Sequence, residues 1–590
     1  MLYSENYSSS MDKKYHTTQA ENTMRNIYFS APTPASDPGK QVTSIINLAG
    51  SGLKNVEIGQ LASRGNKSWE TIPKQHFDMI RQTAKLTMGD KAVVSVHAPI
   101  DVDPTGFKEN RWSEDNRVDA ENFMKDVIDK ASMVQVDKTR PVPIAYHASG
   151  QTGTFWKWND NTNVFTPETA MAVIPDTGEV LPLRTETKTY PGGEKVHYVP
   201  YKVDGVNYPE PNTVSSLEQV NHTLWQREQE KISQMWKEIQ EAEKETIAAK
   251  NTGDEITASR WAERGKLMTS HLNSAISATY DKLAETDKAA KEFIDNTTRG
   301  STDPNVLTHA INLLGVPGGH PTPKMVRLVE EFGQEKAAET IANLAKYSYE
   351  KYGENGPQMA IENWDPWHVM GRGEDLKKGL NLARTKFVEK IIAEQKIPRK
   401  KAEEVANKLI GATWDIAHIN LTRGFGFPDM PKDKKWETYI KKEVEAIKDD
   451  IRHIHISDNF GYGDAHLAPG MGNVPIEEFL EYMKKHGKLK NVTSVLESAG
   501  TAIHLGIPPV HTEALQTLGV GSPAWSISPN WYESSQNYFF GGSNYASAGF
   551  GNILPQGHFS EYGAGFSQLP TATGGIRPGQ QSKFSNTPMS

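Results

Sequence analysis

Cysteine is absent from all 590 residues, which removes disulfides, thiolate zinc knots, iron–sulfur clusters and cysteine nucleophiles together. Any transition-metal site must then be built from imidazole and carboxylate, donors that suit Zn2+, Mn2+ or Fe2+. No run approaches the ~20 apolar residues of a membrane span. The opening stretch, MLYSENYSSSMDKKYHTTQAENTM, also lacks the apolar segment of a secretory signal. A cytoplasmic protein without membrane contact is the expectation. Net positive charge is missing too: the formal charge is −8, which argues against generic polyanion binding, local basic faces apart. Beyond Gly521 even charge is scarce, with only Glu533, Glu561, Arg577 and Lys583 among Gly, Ser, Asn, Tyr and Phe. Such text cannot bury a core, so 506–590 reads as a low-complexity, disordered tail and 1–25 as a disordered extension.

What remains alternates short apolar runs with amphipathic stretches. The runs are NIYFSAP (from Asn26), NVEIGQ (Asn55), AVVSVHAP (Ala92), PIAYHAS (Pro143), QMAIEN (Gln358), ATWDIAH (Ala412), IRHIHISD (Ile451) and TSVLESA (Thr493). Between them, Met124, Val127, Ile128 and Ala131 recur at helical spacing after an N-cap candidate, Ser113. The same spacing holds for Met325, Leu328, Val329 and Phe332, for Leu376, Leu380, Ala383, Phe387 and Ile391, and for Ile476, Phe479, Leu480 and Met483. Eight strands alternating with helices predict an α/β protein, a (β/α)8 TIM barrel, with an open doubly wound sheet as the other arrangement of the same elements.

The pattern is broken once. About 175 residues separate His147 from Met325, where a strand-to-helix loop takes about 2–6. This stretch holds hairpin-like text (MAVIPDTGEVLPL, TKTYPGGEKVHYVPY) and two helices, lined by Ile232, Met235, Trp236 and Ile239 and by Trp261, Met268, Leu272 and Ile276. It reads as an inserted α+β subdomain over 151–322, dividing the barrel into 26–150 and 323–505. Leaving after the fourth strand, it departs from the face that carries barrel active sites. It would serve there as a lid or substrate platform, or as a hairpin for oligomer contacts.

The strand ends carry the chemistry. His97 ends the third strand, His147 the fourth, Glu362 the fifth and Asp415 the sixth, with His418 three residues on. His455 lies in the seventh, Asp464 and His466 in the loop behind it, and Glu497 ends the eighth. Singly, each has a structural explanation. Together they crowd charge onto one rim, and buried charge needs a partner. A cluster of divalent cations supplies one. In IRHIHISD, His453 shares the inward face with His455 but sits a layer deeper, as a supporting rather than ligating residue.

This set resembles the xylose isomerase-like barrels, and within them the endonuclease IV branch of apurinic/apyrimidinic endonucleases, over roughly Asn26–Gly150 and Met325–Gly500. Glu362, Asp415, His455 and Glu497 match ligands common to the superfamily, and His418 in WDIAH occurs in both branches. His97, His147 and Asp464-x-His466 tilt the likeness toward endonuclease IV. The resemblance implies one ion on His97, His147 and Glu362, and a second on Asp415, His455 and Glu497 bridged by Glu362. His418, Asp464 and His466 would take a third. It implies two or three Zn2+ ions, a hydroxide bridging them, and cleavage of DNA 5′ to abasic sites, with Glu362, Asp415 and Glu497 as catalytic residues. The loop His97-Ala98-Pro99-Ile100-Asp101-Val102-Asp103 departs from the branch. Ile100 could still wedge between bases, but Asp101 and Asp103 set negative charge where a phosphate backbone would pass. A sugar or sugar-phosphate isomerase or epimerase with one ion on Glu362, Asp415, His455 and Glu497 is the alternative, and a barrel scaffold for partner binding a third.

Overall fold

The computed structural model describes residues 28–498, apart from 34–37, 51–52, 60–71, 160–163, 207, 209, 211, 317–318, 426–434 and 491. The terminal segments 1–25 and 506–590, read above as disordered, lie outside the described residues.

All eight expected strands form, in order: β1 (Tyr28–Ser30), β2 (Val56–Ile58), β3 (Val94–His97), β4 (Pro143–His147), β5 (Gln358–Glu362), β6 (Ile410–Asp415), β7 (Ile451–Ile456) and β8 (Thr493–Leu496). They make one parallel sheet in the order β1-β8-β7-β6-β5-β4-β3-β2. The circle is nearly closed by a single bridge from Pro32 to Glu57 and by Glu57 N–H donating to the Ala31 carbonyl at 3.1 Å. The fold is therefore a TIM barrel and not an open sheet. Every residue of β3, β4, β5, β6 and β8 is buried. Strands covered by helices outside and packed side chains inside have no wet face, which is why they read as unbroken apolar runs.

The outer helices follow the periodic positions, with Glu114–Met133, Gly373–Gln395 and Ile476–Lys485 burying the residues named above. One differs. The helix expected to contain Met325 and Leu328 begins at Val329. Arg327–Leu328 is extended and pairs antiparallel with Val173 and Ala172. A tertiary edge strand there overrides local helical spacing.

Between β4 and β5, strands Thr154–Asn159, Val164–Val173 and Val180–Arg184 form an antiparallel sheet. Glu186–Thr189, Lys195–Val199 and Thr213–Ser215 form a second, mixed sheet, the first pair antiparallel and the second parallel. Two long helices follow, Ser216–Asn251 and Glu255–Thr286. Their core, with Trp225, Ile232, Ile239, Leu272 and Ile276, is separate from that of the barrel. Trp236, expected on the packed line, is 51% exposed; one residue past Met235 is a turn of about 100° around the helix, enough to leave the seam.

Candidate metal centre

The barrel's parallel register brings the nine side chains to one end. Glu362 pairs with His147 across β4–β5, and Asp415 with His455 across β6–β7. Glu362 is the hub, 1% exposed at its side chain. Its Oε1 lies 2.8 Å from His455 Nδ1, and its Oε2 lies 3.2 Å from His97 Nε2 and 3.9 Å from His147 Nε2. Glu497 Oε1 stands 3.3 Å from the same His455 Nδ1, and its Oε2 3.4 Å from His466 Nδ1. Asp464 Oδ2 meets His418 at 3.2 Å and His466 at 2.5 Å.

Local contacts decide which imidazole nitrogen faces the cluster. His97 Nδ1 meets the Ala98 carbonyl at 2.8 Å, and His418 Nδ1 meets the Asn363 carbonyl at 2.7 Å. A carbonyl only accepts, so each proton sits on Nδ1 and each Nε2 is left for the cluster. Asn363 also exchanges two hydrogen bonds of 2.8 Å with the backbone of Asp415, tying the ends of β5 and β6. The Asp464–His466 loop is pinned by Asp458, which accepts from the N–H groups of Gly470, Gly472 and Val474. A Cβ on Gly472 would come within 2.3 Å of the Asn459 carbonyl, which explains the glycine. His466 has φ +46°, a left-handed conformation sparsely used by non-glycine residues.

The electrostatics are those of a cation site filled by protons. Burial alone would raise the Glu362 carboxyl, but His455 and His147 outweigh it and hold it well below the carboxylate range. Burial opposes charge on His418 and His455, yet Asp415 and Asp464 raise the first, and Glu362 and Glu497 the second, well above the ordinary imidazole value. His466 is pushed up to about 9 against its burial, by Asp464 and Glu497. Burial takes His147 down to about 3 and Asp415 up to about 6.

Triads able to hold an ion, their ligand atoms within 4.8 Å of one another, include His97/His147/Glu362, His418/Asp464/His466, Glu362/Asp415/His418, His97/His455/Glu497 and Glu57/His453/His455. Asp415 Oδ2 and His147 Nδ1 are buried without a hydrogen-bond partner. An orphaned carboxylate oxygen on Asp415, among nitrogen and oxygen ligand atoms, fits a divalent cation. The residues expected to share the second ion divide here, Asp415 grouping with His418, and His455 and Glu497 with His97. Two residues near the centre were not picked out from the sequence. Glu57 lies in β2 opposite Ser95, two residues before His97; its alternation in VEI was the available signal. Trp364 packs its ring 4.1 Å from that of His147.

The loop after β3 differs from expectation. Ile100 is 51% exposed, but Asp103 turns inward, accepting from Ser149 Oγ at 2.6 Å and Thr105 N–H at 2.8 Å. Only Asp101 of the acidic pair is exposed. The insertion meets the loop after β5. Gly153 N–H donates to the Trp367 carbonyl at 2.8 Å, Thr152 bridges to His368, and the Phe155 ring stacks on Trp367 at 4.8 Å.

Residues 269–514 match the family model described as xylose isomerase-like TIM barrel. The eight parallel strands and their helices form a TIM barrel, and the matched stretch takes in its second half. An uncharacterized protein of Methanocaldococcus jannaschii is 34% identical over 85 residues, 14% of this chain and 25% of that protein. The chain thus spans about a quarter of the length of the curated relative it matches. Among solved structures, a D-tagatose 3-epimerase-like protein is 14% identical, covering 83% of this chain and 98% of that one at a TM-score of 0.35. D-Allulose 3-epimerase from Methylomonas sp. in complex with D-allulose is 9% identical, covering 84% and 95% at 0.34. No helix among the described residues is long and apolar enough to cross a membrane.

Proposed function

We propose that the chain is a metal-dependent isomerase or epimerase of a small sugar or sugar phosphate. The observation that carries this reading is enclosure. The insertion clamps the loop after β5, and that loop lays Trp364 over His147. Of the nine residues, Asp464 and His466 are the most open, with side chains 27% and 32% exposed. An aromatic-walled, half-closed mouth suits a small polar ring better than a duplex. Divalent metal, when bound by Glu362, Asp415, His455 and Glu497, would polarise a carbonyl and its neighbouring hydroxyl. Shifting hydrogen between adjacent carbons also needs a carboxylate that takes a proton and returns it. Glu362 and Glu497, both facing His455 Nδ1, are the candidates, while Asp415 completes the ligand set.

A second reading, the endonuclease IV-type phosphodiester hydrolase acting on abasic DNA, is favoured by a different observation. His97/His147/Glu362 and His418/Asp464/His466 both close into triads, and a single-ion isomerase needs neither. The Asp103 carboxylate is also engaged by Ser149 rather than exposed like Asp101, which weakens one of the two objections to DNA.

One set of assays tests both. Purified protein loaded with Zn2+, Mn2+ or Fe2+ is offered a panel of ketoses and ketose phosphates, and separately a duplex containing an abasic site. Sugar interconversion without nicking is expected. Nicking without sugar turnover would replace the first reading by the second, and neither activity would leave a partner-binding scaffold.

A further inference from the structure

His455 differs from the other histidines of the centre in what holds its far side. His97 and His418 rest a nitrogen on a backbone carbonyl. His455 instead turns Nδ1 to Glu362 and Glu497, and its Nε2 points down the barrel, where Glu57 Oε2 lies 3.5 Å away. Glu57 is fully buried and carries negative charge into the apolar interior. Its Oε2 accepts from Ser95 Oγ at 3.0 Å and meets His453 Nε2 at 3.1 Å, and His453 Nδ1 in turn meets Thr493 Oγ1 at 2.6 Å. Both Glu57 Oε1 and His455 Nε2 are buried with no hydrogen-bond partner. The deep layer is thus built around one carboxylate with acceptor capacity to spare, facing an unpaired nitrogen of His455.

We infer that Glu57 is the positioning carboxylate of the metal centre, holding His455 with its proton on Nε2 so that Nδ1 is the ligating nitrogen. The inference rests on the reading of the rim as a metal centre. A histidine that ligates through one nitrogen carries its proton on the other, and a carboxylate on that proton fixes the ring and raises its basicity. His453 and Ser95 keep Glu57 from rotating away. Glu57 touches neither substrate nor ion. It acts through His455, from strand β2, the only strand besides β1 that contributes nothing to the rim set itself.

The test compares wild type with Glu57→Gln for Zn2+ affinity, by competition with a chromogenic chelator, for ion count at saturation, and for the melting of the metal-free protein. Gln keeps an acceptor oxygen but removes the charge. The expected result is a 10–100-fold weaker affinity, the usual cost of losing an outer partner, with the ion count unchanged. Unchanged affinity overturns the inference. So does the loss of one whole ion per chain at saturation, which would make Glu57, His453 and His455 ligands of a deep ion instead. Should Glu57→Gln not fold, the nitrogen-15 spectrum of the wild-type, Zn2+-loaded protein decides, with a proton on Nε2 of His455 expected and one on Nδ1 overturning it. If wild type binds no ion at all, it is the metal-centre reading that fails.

Discussion

Glu362 and His455 meet at 2.8 Å, carboxylate oxygen to Nδ1, although 93 residues of chain separate them. Each lies at the end region of a different strand of the barrel, and each is essentially without solvent. Their approach makes Glu362 the residue on which the site depends most. Glu362→Gln should lower divalent-metal affinity by more than the ~10–100-fold cost of an outer partner and abolish measurable turnover. Equilibrium dialysis with elemental analysis would check it, and a variant that bound metal like wild type would remove Glu362 from the ligand set.

Asp464 and His466 separate the two functional readings. Replacing both, as Asp464→Asn with His466→Ala, should cost a single-ion isomerase little of its core metal and much less than tenfold in kcat/KM. In a hydrolase that needs three ions the same change should remove one ion per chain and nearly all activity. Ion count and turnover measured on one preparation distinguish these outcomes.

Metal binding should release protons. His418 and His455 are held well above the usual imidazole value and His466 at about 9, so the metal-free centre keeps their protons at neutral pH. A ligating imidazole must shed its proton toward the cluster. Affinity should therefore rise with pH through the neutral range and fall toward pH 6. Titration calorimetry in buffers of different ionisation enthalpy should register at least about one proton released per ion; zero release would contradict the assignment of these histidines as ligands.

Glu330 offers a test away from the rim. Burial raises its carboxyl to about 8, with Asp375 adding and Arg372 opposing. Its folded value exceeds its unfolded one, so between about pH 4.5 and pH 8 the folded state binds more protons than the unfolded state, and stability falls as pH rises through that window. Glu330→Gln should remove this slope and stabilise the protein at pH 8–9 on the order of 2 kcal/mol. Denaturant midpoints at pH 5 and pH 9 would show it, and an equal gain at both would refute the cause given.

The insertion's helices should unfold without the barrel. Trp225 is 1% exposed in their separate core and donates Nε1–H to the Leu314 carbonyl at 3.0 Å. Trp225→Ala should destabilise that unit by about 3–5 kcal/mol while the ion count stays that of wild type. Hydrogen exchange would locate the loss to 216–314, and an equal loss of protection in β5–β8 would mean that the two cores are coupled.

Much of this was readable in the chain. Eight apolar runs marked eight strands because a barrel strand is buried on both sides, and the period of two set His453 and His455 on one face. The absence of cysteine fixed the donor chemistry as nitrogen and oxygen. Strand-end position named nine residues of the rim, all of which converge.

Tertiary structure decided the rest. Spacing says which face a side chain takes, but not which residue of a distant strand it meets, since that depends on register around a closed sheet. So Asp415, opposite His455 in register, also closes a triad with Glu362 and His418, and Glu57, unremarkable in NVEIGQ, lies beneath the centre. Asp103 looks like a surface charge in sequence and is a half-buried acceptor for Ser149. Leu328 keeps helical spacing yet joins a strand, because the insertion's sheet offers an edge that needs a partner. The sequence by itself determined the barrel and the chemistry of its donors; only the packed structure decided how those donors group, what supports them and how far the mouth is closed.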